Sequence, residues 1–192
     1  MKRAEEIYRE ILFQSMEKKN SSLTQSYLAR ALSVSLSVVN LALQPLIKMN
    51  AVKIRQRSFD VIDKRKILYY WASVRNIEKD IVYKTRVEKP VKQIESEMPA
   101  DIVYAAYSAY KFKFKDVPAD YSEVYVYSDN LKEIEKRFPK NNNTPNLFVL
   151  KRDKNLKEPT LALIFVDLWN LKEWYAKEFL KAMEARINGI LD

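Results

Sequence analysis

The sequence predicts a mixed chain of two small units: an α+β unit over residues 1–80 and an α/β unit over residues 81–192. Three observations predict it. Helical spacing dominates residues 4–49 and then gives way to two short alternating runs joined by a turn. Helical and strand-like segments alternate through the second part. Positive charge is confined to one side of the division, with 18 Lys and Arg against 9 Asp and Glu in residues 1–89, and 16 against 16 in residues 90–192.

Composition removes many functions. Hydrophobic residues make up 47% and charged residues 31%, which gives a soluble chain with material for a core. No apolar run approaches the roughly 18–20 residues that span a bilayer. The start MKRAEEIYRE has no apolar stretch of the secretory kind, so the expectation is a cytoplasmic protein without a membrane partner. Cysteine and histidine are absent, which excludes disulfides, zinc fingers, thiol catalysis and histidine bases. The one glycine, Gly189, excludes glycine-rich phosphate loops, whose backbone must approach the phosphate closely.

In the first unit, Ile7, Ile11 and Leu12, with Met16 less cleanly placed, mark one face of a helix over residues 4–18. Asn20-Ser21-Ser22 breaks it. Ser22 or Thr24 can cap a second helix over 25–32 with Tyr27, Leu28, Ala31 and Leu32 inward. Ser35 can cap a third over 36–49, in which Leu36, Val39, Leu43, Leu46 and Ile47 recur at helical spacing and Pro45 imposes a local bend. Residues 51–56 and 59–62 alternate as two strands around Arg57-Ser58, and Asp63 can cap a fourth helix over 64–74. Two helices joined by a tight turn and followed by a β-hairpin form a winged helix-turn-helix.

The run LTQSYLARALSVSLSVVNLALQPLIKMNAVKIRQRSFDVID resembles prokaryotic winged helix-turn-helix domains, in which a "T…LA..L.VS.STVN.AL..L...GAV" pattern precedes the wing. Asn50 stands where glycine is usual, and asparagine tolerates the left-handed conformation that closes a helix. The third helix is then expected to read base edges of double-stranded DNA through Ser35, Ser37, Val38, Asn40, Leu41 and Gln44. Lys48, Lys53, Arg55 and Arg57 are expected at phosphates or in the minor groove. Arg30, with Lys64, Arg65 and Lys66, extends the basic surface. Use of the same fold to dock protein, or RNA, remains an alternative. At least one of the consecutive rings Tyr69, Tyr70 and Trp71 is expected to meet the second unit or another subunit, while Leu68 and Trp71 are assigned to the core.

In the second part the pattern predicts a strand over 81–87 and a helix from Pro90 to Met98. A helix over 100–112, strands over 122–128, 146–152 and 161–166, and helices over 130–138 and 171–191 follow. DIVYAAYSAYKF, SEVYVYSDNLKEIEKRF, NLFVLKRD and TLALIFVDLWNLKEWYAKEFLKAM resemble the C-terminal domain of AbiEi-type antitoxins, the repressor halves of type IV (abortive-infection) toxin–antitoxin systems. That resemblance implies a nucleotidyltransferase-like fold, autorepression and a cognate toxin partner. An active transferase carries a Gly-Ser turn, a D-x-D pair and a third acid around magnesium. Here Tyr107-Ser108, Glu123-Val124-Tyr125 and Asp167 stand in those places, so the fold is expected to be degenerate, with no catalytic residue, metal or cofactor; a divergent nucleotidyltransferase using Glu123 and Asp167 is the alternative. Phe179 and Met183 are assigned to the core of the last helix, Trp174 is left between core and interface, and a homodimer would match a palindromic operator.

Overall fold

A computed structural model describes residues 1–191. The chain is mixed α and β with two small sheets. It divides into two compact units. Among the described residues, the first comprises residues 1–75, 160–166 and 184–191; the second comprises residues 76–159 and 167–183. The sequence reading kept everything after residue 80 together, because no local pattern marks a C-terminal segment as belonging with an N-terminal one.

The first unit opens with α1 (Arg3–Leu12), which continues into a π-helical turn, Phe13–Glu17. The wider turn explains Met16: it lies off the ideal helical stripe, yet it is buried with Ile7, Ile11 and Leu12. The short strand β1 (Ser22–Leu23) leads to α2 (Gln25–Leu32) and α3 (Leu36–Lys48). Their caps are local. Thr24 Oγ1 accepts the Tyr27 N–H at 3.0 Å, and Ser35 Oγ accepts the Val38 N–H at 3.3 Å. Ser33 (φ 52°) ends α2 and Asn50 (φ 56°) follows α3, both left-handed. The N–H groups of Asn50 and Ala51 then return to the carbonyls of Ile47 and Leu46 at 2.9 and 2.8 Å. Strands β2 (Val52–Ile54) and β3 (Phe59–Val61) pair antiparallel, β1 pairs with β3, and the sheet order is β1-β3-β2. Asp63 Oδ1 accepts the Lys66 N–H at 2.9 Å and starts α4 (Lys64–Val74).

The core of this unit is built from Ile11, Leu28, Leu32, Val39, Leu43, Leu46, Phe59, Leu68 and Trp71. A charged contact crosses it: Glu5 Oε2 accepts from Trp71 Nε1 at 3.3 Å and from Arg75 Nη1 at 3.2 Å, with both charged side chains buried. Two inward assignments on the helices fail. Ala31 and Leu36 are exposed, Leu36 at 53%. Leu36 is the first residue of α3, so no preceding turn of helix lies beside it to give it neighbours.

A short 3-10 turn (Ile77–Asp80) opens the second unit, followed by β4 (Ile81–Thr85) and α5 (Val91–Ser96). Next come β5 (Val103–Ala105), α6 (Ala106–Phe114), β6 (Val124–Ser128), α7 (Leu131–Arg137) and β7 (Leu147–Lys151). The sheet runs β4-β7-β6-β5; β6 and β7 are parallel and the outer pairs antiparallel. Tyr83, Val124, Val126, Leu147 and Val149 pack with Ile94, Ile134 and Phe138 in one apolar cluster. A cluster of rings, Tyr107, Tyr121, Tyr175 and Phe179, forms elsewhere in the unit, with Tyr107 edge-on to Phe179 at 4.9 Å.

Two helices complete the chain, α8 (Leu161–Trp169) and α9 (Ala176–Leu191). The expected strand over 161–166 is therefore helical. A short run of apolar residues has no period that separates a buried strand from a buried helix. Thr160 decides the matter by capping: its Oγ1 accepts the Leu163 N–H at 3.2 Å, and its carbonyl accepts the Ile164 N–H at 3.0 Å. The predicted helix over 100–112 begins later, because residues 103–105 pair with β6.

Within the first unit, Tyr69 meets Phe165 edge-on at 5.4 Å and donates to Glu184 at 3.1 Å. The Leu161 N–H donates to Glu17 Oε1 at 2.8 Å. Tyr70 packs edge-on against Tyr8 at 5.7 Å. Both tyrosines therefore have partners in their own unit.

Candidate nucleic-acid interface

Helix α3 displays two adjacent exposed stripes, Leu36–Asn40–Gln44 and Ser37–Leu41, because residues four apart share a helical face. Leu41 is 70% exposed, although it is apolar. Val38 is half-buried and sits at the edge of this face. Ser35 lies at its start and spends its hydroxyl oxygen as the helix cap. Gln44 Nε2 donates to Asn40 Oδ1 at 3.2 Å. Every group on these stripes is uncharged. Lys48 follows at the C-terminal end of α3, exposed, and Arg30 is exposed on α2.

The hairpin supplies the other cations. Lys53, Arg55 and Arg57 are all exposed, and the Arg55 N–H closes the turn on the Ser58 carbonyl at 2.8 Å. They are not equivalent. Arg55 Nε donates to Asp60 Oδ2 at 2.7 Å across the hairpin. The hydrogen bond from Arg55, then one from Ser22, holds the Asp60 carboxyl below its ordinary value, so it is ionised at neutral pH. Asp60 is the only carboxylate between residues 21 and 62, against five Lys and Arg. The sequence reading gave Arg55 the same task as Arg57; the structure brings it to Asp60. Three further cations also have partners. Lys64 donates to the Ile190 carbonyl, Arg65 Nη2 to Asn188 Oδ1 at 2.9 Å, and Lys66 pairs with Asp63 at 3.5 Å.

A shallow groove runs beside α3, lined by Tyr8, Val38, Leu41, Pro45, Lys48 and Tyr70. It shares Val38, Leu41, Gln44 and Lys48 with the exposed face of α3 and adds the apolar surface of Tyr8, Pro45 and Tyr70.

The carboxylates of the second unit adopt an arrangement that spacing did not foretell. Asp167 is fully buried, and Tyr127 Oη lies 2.9 Å from each of its oxygens. Glu123 has a partly buried carboxyl whose Oε2 has no hydrogen-bond partner among the described residues. Burial first, and the neighbouring Glu173 second, push it above its ordinary value. Tyr125, in the place of a second acid, donates to Glu173 Oε1 at 2.9 Å, and Tyr107 donates to Glu173 Oε2 at 3.0 Å. Glu173 was missed in the sequence because the last helix was expected to start at residue 171; the helix starts at Ala176, leaving Glu173 in the turn before it. The left-handed residue at the β5–α6 junction is Ala106 (φ 47°), one position before Tyr107-Ser108. No group of three or more acidic side chains among the described residues is placed to hold a metal ion.

An open cleft of about 880 Å³ lies in this unit. Lys84, Phe148 and Tyr125 line it as one cross-strand row, in register on β4, β7 and β6. The two rings stack at 4.6 Å and 10°. Lys140, Asn142 and Glu173 are also in its wall. Phe179 and Met183 are buried, and Trp174 is 75% exposed. No helix among the described residues is long and apolar enough to cross a membrane. Compared with family models, with curated proteins and with solved structures, the chain finds no match in any of the three.

Proposed function

We propose that the chain is a transcriptional regulator that binds double-stranded DNA through a winged helix-turn-helix in its first unit. The observation that carries this reading is the exposed face of α3, polar and apolar but uncharged from Leu36 to Gln44, in a unit that also exposes Lys48, Lys53 and Arg57. Uncharged side chains in a major groove can read base edges, while surrounding cations neutralise phosphates. A helix whose outer face served only solubility would carry charges there, and its exposed leucines would have no use.

The second unit then serves as a partner- or effector-binding module. Buried Asp167 with its tyrosine donor, and Tyr125 in place of a second acid, favour that role over nucleotidyl transfer. In this reading the protein works in the cytoplasm as a repressor of the antitoxin kind, possessing a cognate toxin as partner and forming a two-fold dimer on its operator.

Fluorescence anisotropy tests the proposal. The purified chain is titrated with a duplex from its own upstream region and with a shuffled duplex, across about 50–200 mM salt, where phosphate-only binding collapses. Preference for the native duplex at the upper end is the expected result; equal affinity for both refutes sequence-specific regulation. A second reading, docking of a protein, draws on Leu41 and the apolar groove between Tyr8, Tyr70 and Pro45. Under it the chain retains no duplex at any salt.

A further inference from the structure

The hydrogen bond between Gln44 and Asn40 changes what α3 can recognise. A lone asparagine or glutamine presents one carbonyl and one amide, and reads adenine with both. Here one carbonyl and one N–H are already joined, Asn40 Oδ1 with Gln44 Nε2 at 3.2 Å. The pair still offers Asn40 Nδ2 as a donor and Gln44 Oε1 as an acceptor, on two side chains one helical turn apart. Adenine presents one acceptor, N7, and one donor, the N6 amine. Guanine presents two acceptors, and its usual readers are arginine and lysine; on these rows of α3 the only one is Lys48, the last residue of the helix and one turn beyond Gln44. On either side, Leu36 and Leu41 expose apolar surface of the kind that meets a thymine methyl.

We propose that Asn40 and Gln44 form one composite reader that selects an A·T pair, with Leu36 and Leu41 placed against thymine methyl groups nearby. This inference rests on the duplex-binding reading above. It goes beyond that reading by naming the base pair and by making the two amides a single unit. Two independent amides would lose binding additively when removed. A hydrogen-bonded unit loses most of its discrimination with either member.

The full chain is incubated with duplexes randomised over roughly one helical turn, and the bound fraction is sequenced. Wild type, Asn40→Ala, Gln44→Ala, the double variant of these two and Leu41→Ala are then measured by anisotropy on the best duplex. They are also measured on its A·T to G·C counterpart and on a version with uracil replacing thymine. Both side chains are exposed, so thermal melts of the variants should overlay the wild type. Enrichment of A·T at one or two positions is expected. G·C replacement should cost about tenfold or more in affinity. Uracil should weaken wild type but have less effect after Leu41→Ala, and the double variant should be no worse than the poorer single one. Enrichment without A·T preference, selection of G·C, or strictly additive losses overturns the composite reader and leaves duplex binding standing. Failure to retain any duplex overturns both.

Discussion

Asp60→Asn should strengthen DNA binding, and the size of the effect follows from the hairpin. Asp60 is the sole carboxylate among residues 21–62, and its Oδ2 holds Arg55 Nε at 2.7 Å. The substitution keeps the shape, removes a negative charge from the hairpin and releases a guanidinium. If Arg55 then takes one phosphate, the slope of log K against log salt steepens by about 0.9. Over the fourfold change from about 50 to 200 mM, the advantage of the variant should therefore shrink by roughly 3.5-fold. Anisotropy titrations at four or five salt concentrations measure this directly. Arg57→Ala is the counterpart: it should shallow the slope by about 0.9, because Arg57 is an exposed phosphate ligand in this reading. Arg55→Ala should change the slope little. A variant Asp60→Asn that binds more weakly than wild type, or with an unchanged slope, refutes the argument that Asp60 withholds Arg55 from DNA.

Glu5→Ala should destabilise the first unit by up to about 3–5 kcal/mol, because it removes the buried carboxylate that Arg75 Nη1 and Trp71 Nε1 share. The melting temperature should fall by roughly 10 °C, and Glu5→Leu combined with Arg75→Leu should recover most of the loss in a thermal melt. Tyr27 provides a pH test. Burial, then its hydrogen bond to Glu10, push its phenol up to about 12. A group raised on folding contributes stability that is complete below the unfolded value of about 10 and is lost as pH rises through the folded value. Urea unfolding of Tyr27→Phe should accordingly lose less stability than wild type between about pH 10 and pH 12; identical pH profiles would rule this out. Ala106→Gly should change stability by less than about 1 kcal/mol instead of the loss usual for a buried alanine, since alanine at φ 47° carries a left-handed penalty that glycine escapes while its buried methyl is lost. Equilibrium unfolding that shows a larger loss would mean that the methyl group packs more favourably than its backbone costs.

What the sequence determined by itself is short-range. The spans of α2, α3 and α4, their caps at Thr24, Ser35 and Asp63, and the left-handed Asn50 were all legible, because each depends on hydrogen bonds between residues two to five positions apart. The exposed face of α3 was mostly legible for the same reason; only Leu36, at the helix start, was turned the wrong way. Tertiary structure decided the rest. It engaged Lys64 and Arg65 with residues more than a hundred positions away. It also gathered Tyr107 and Tyr125 around Glu173. A partner so distant leaves no periodicity in the chain. Whether a cation is free for phosphate or an acid for chemistry depends on which groups folding places beside it, and local pattern does not encode that choice.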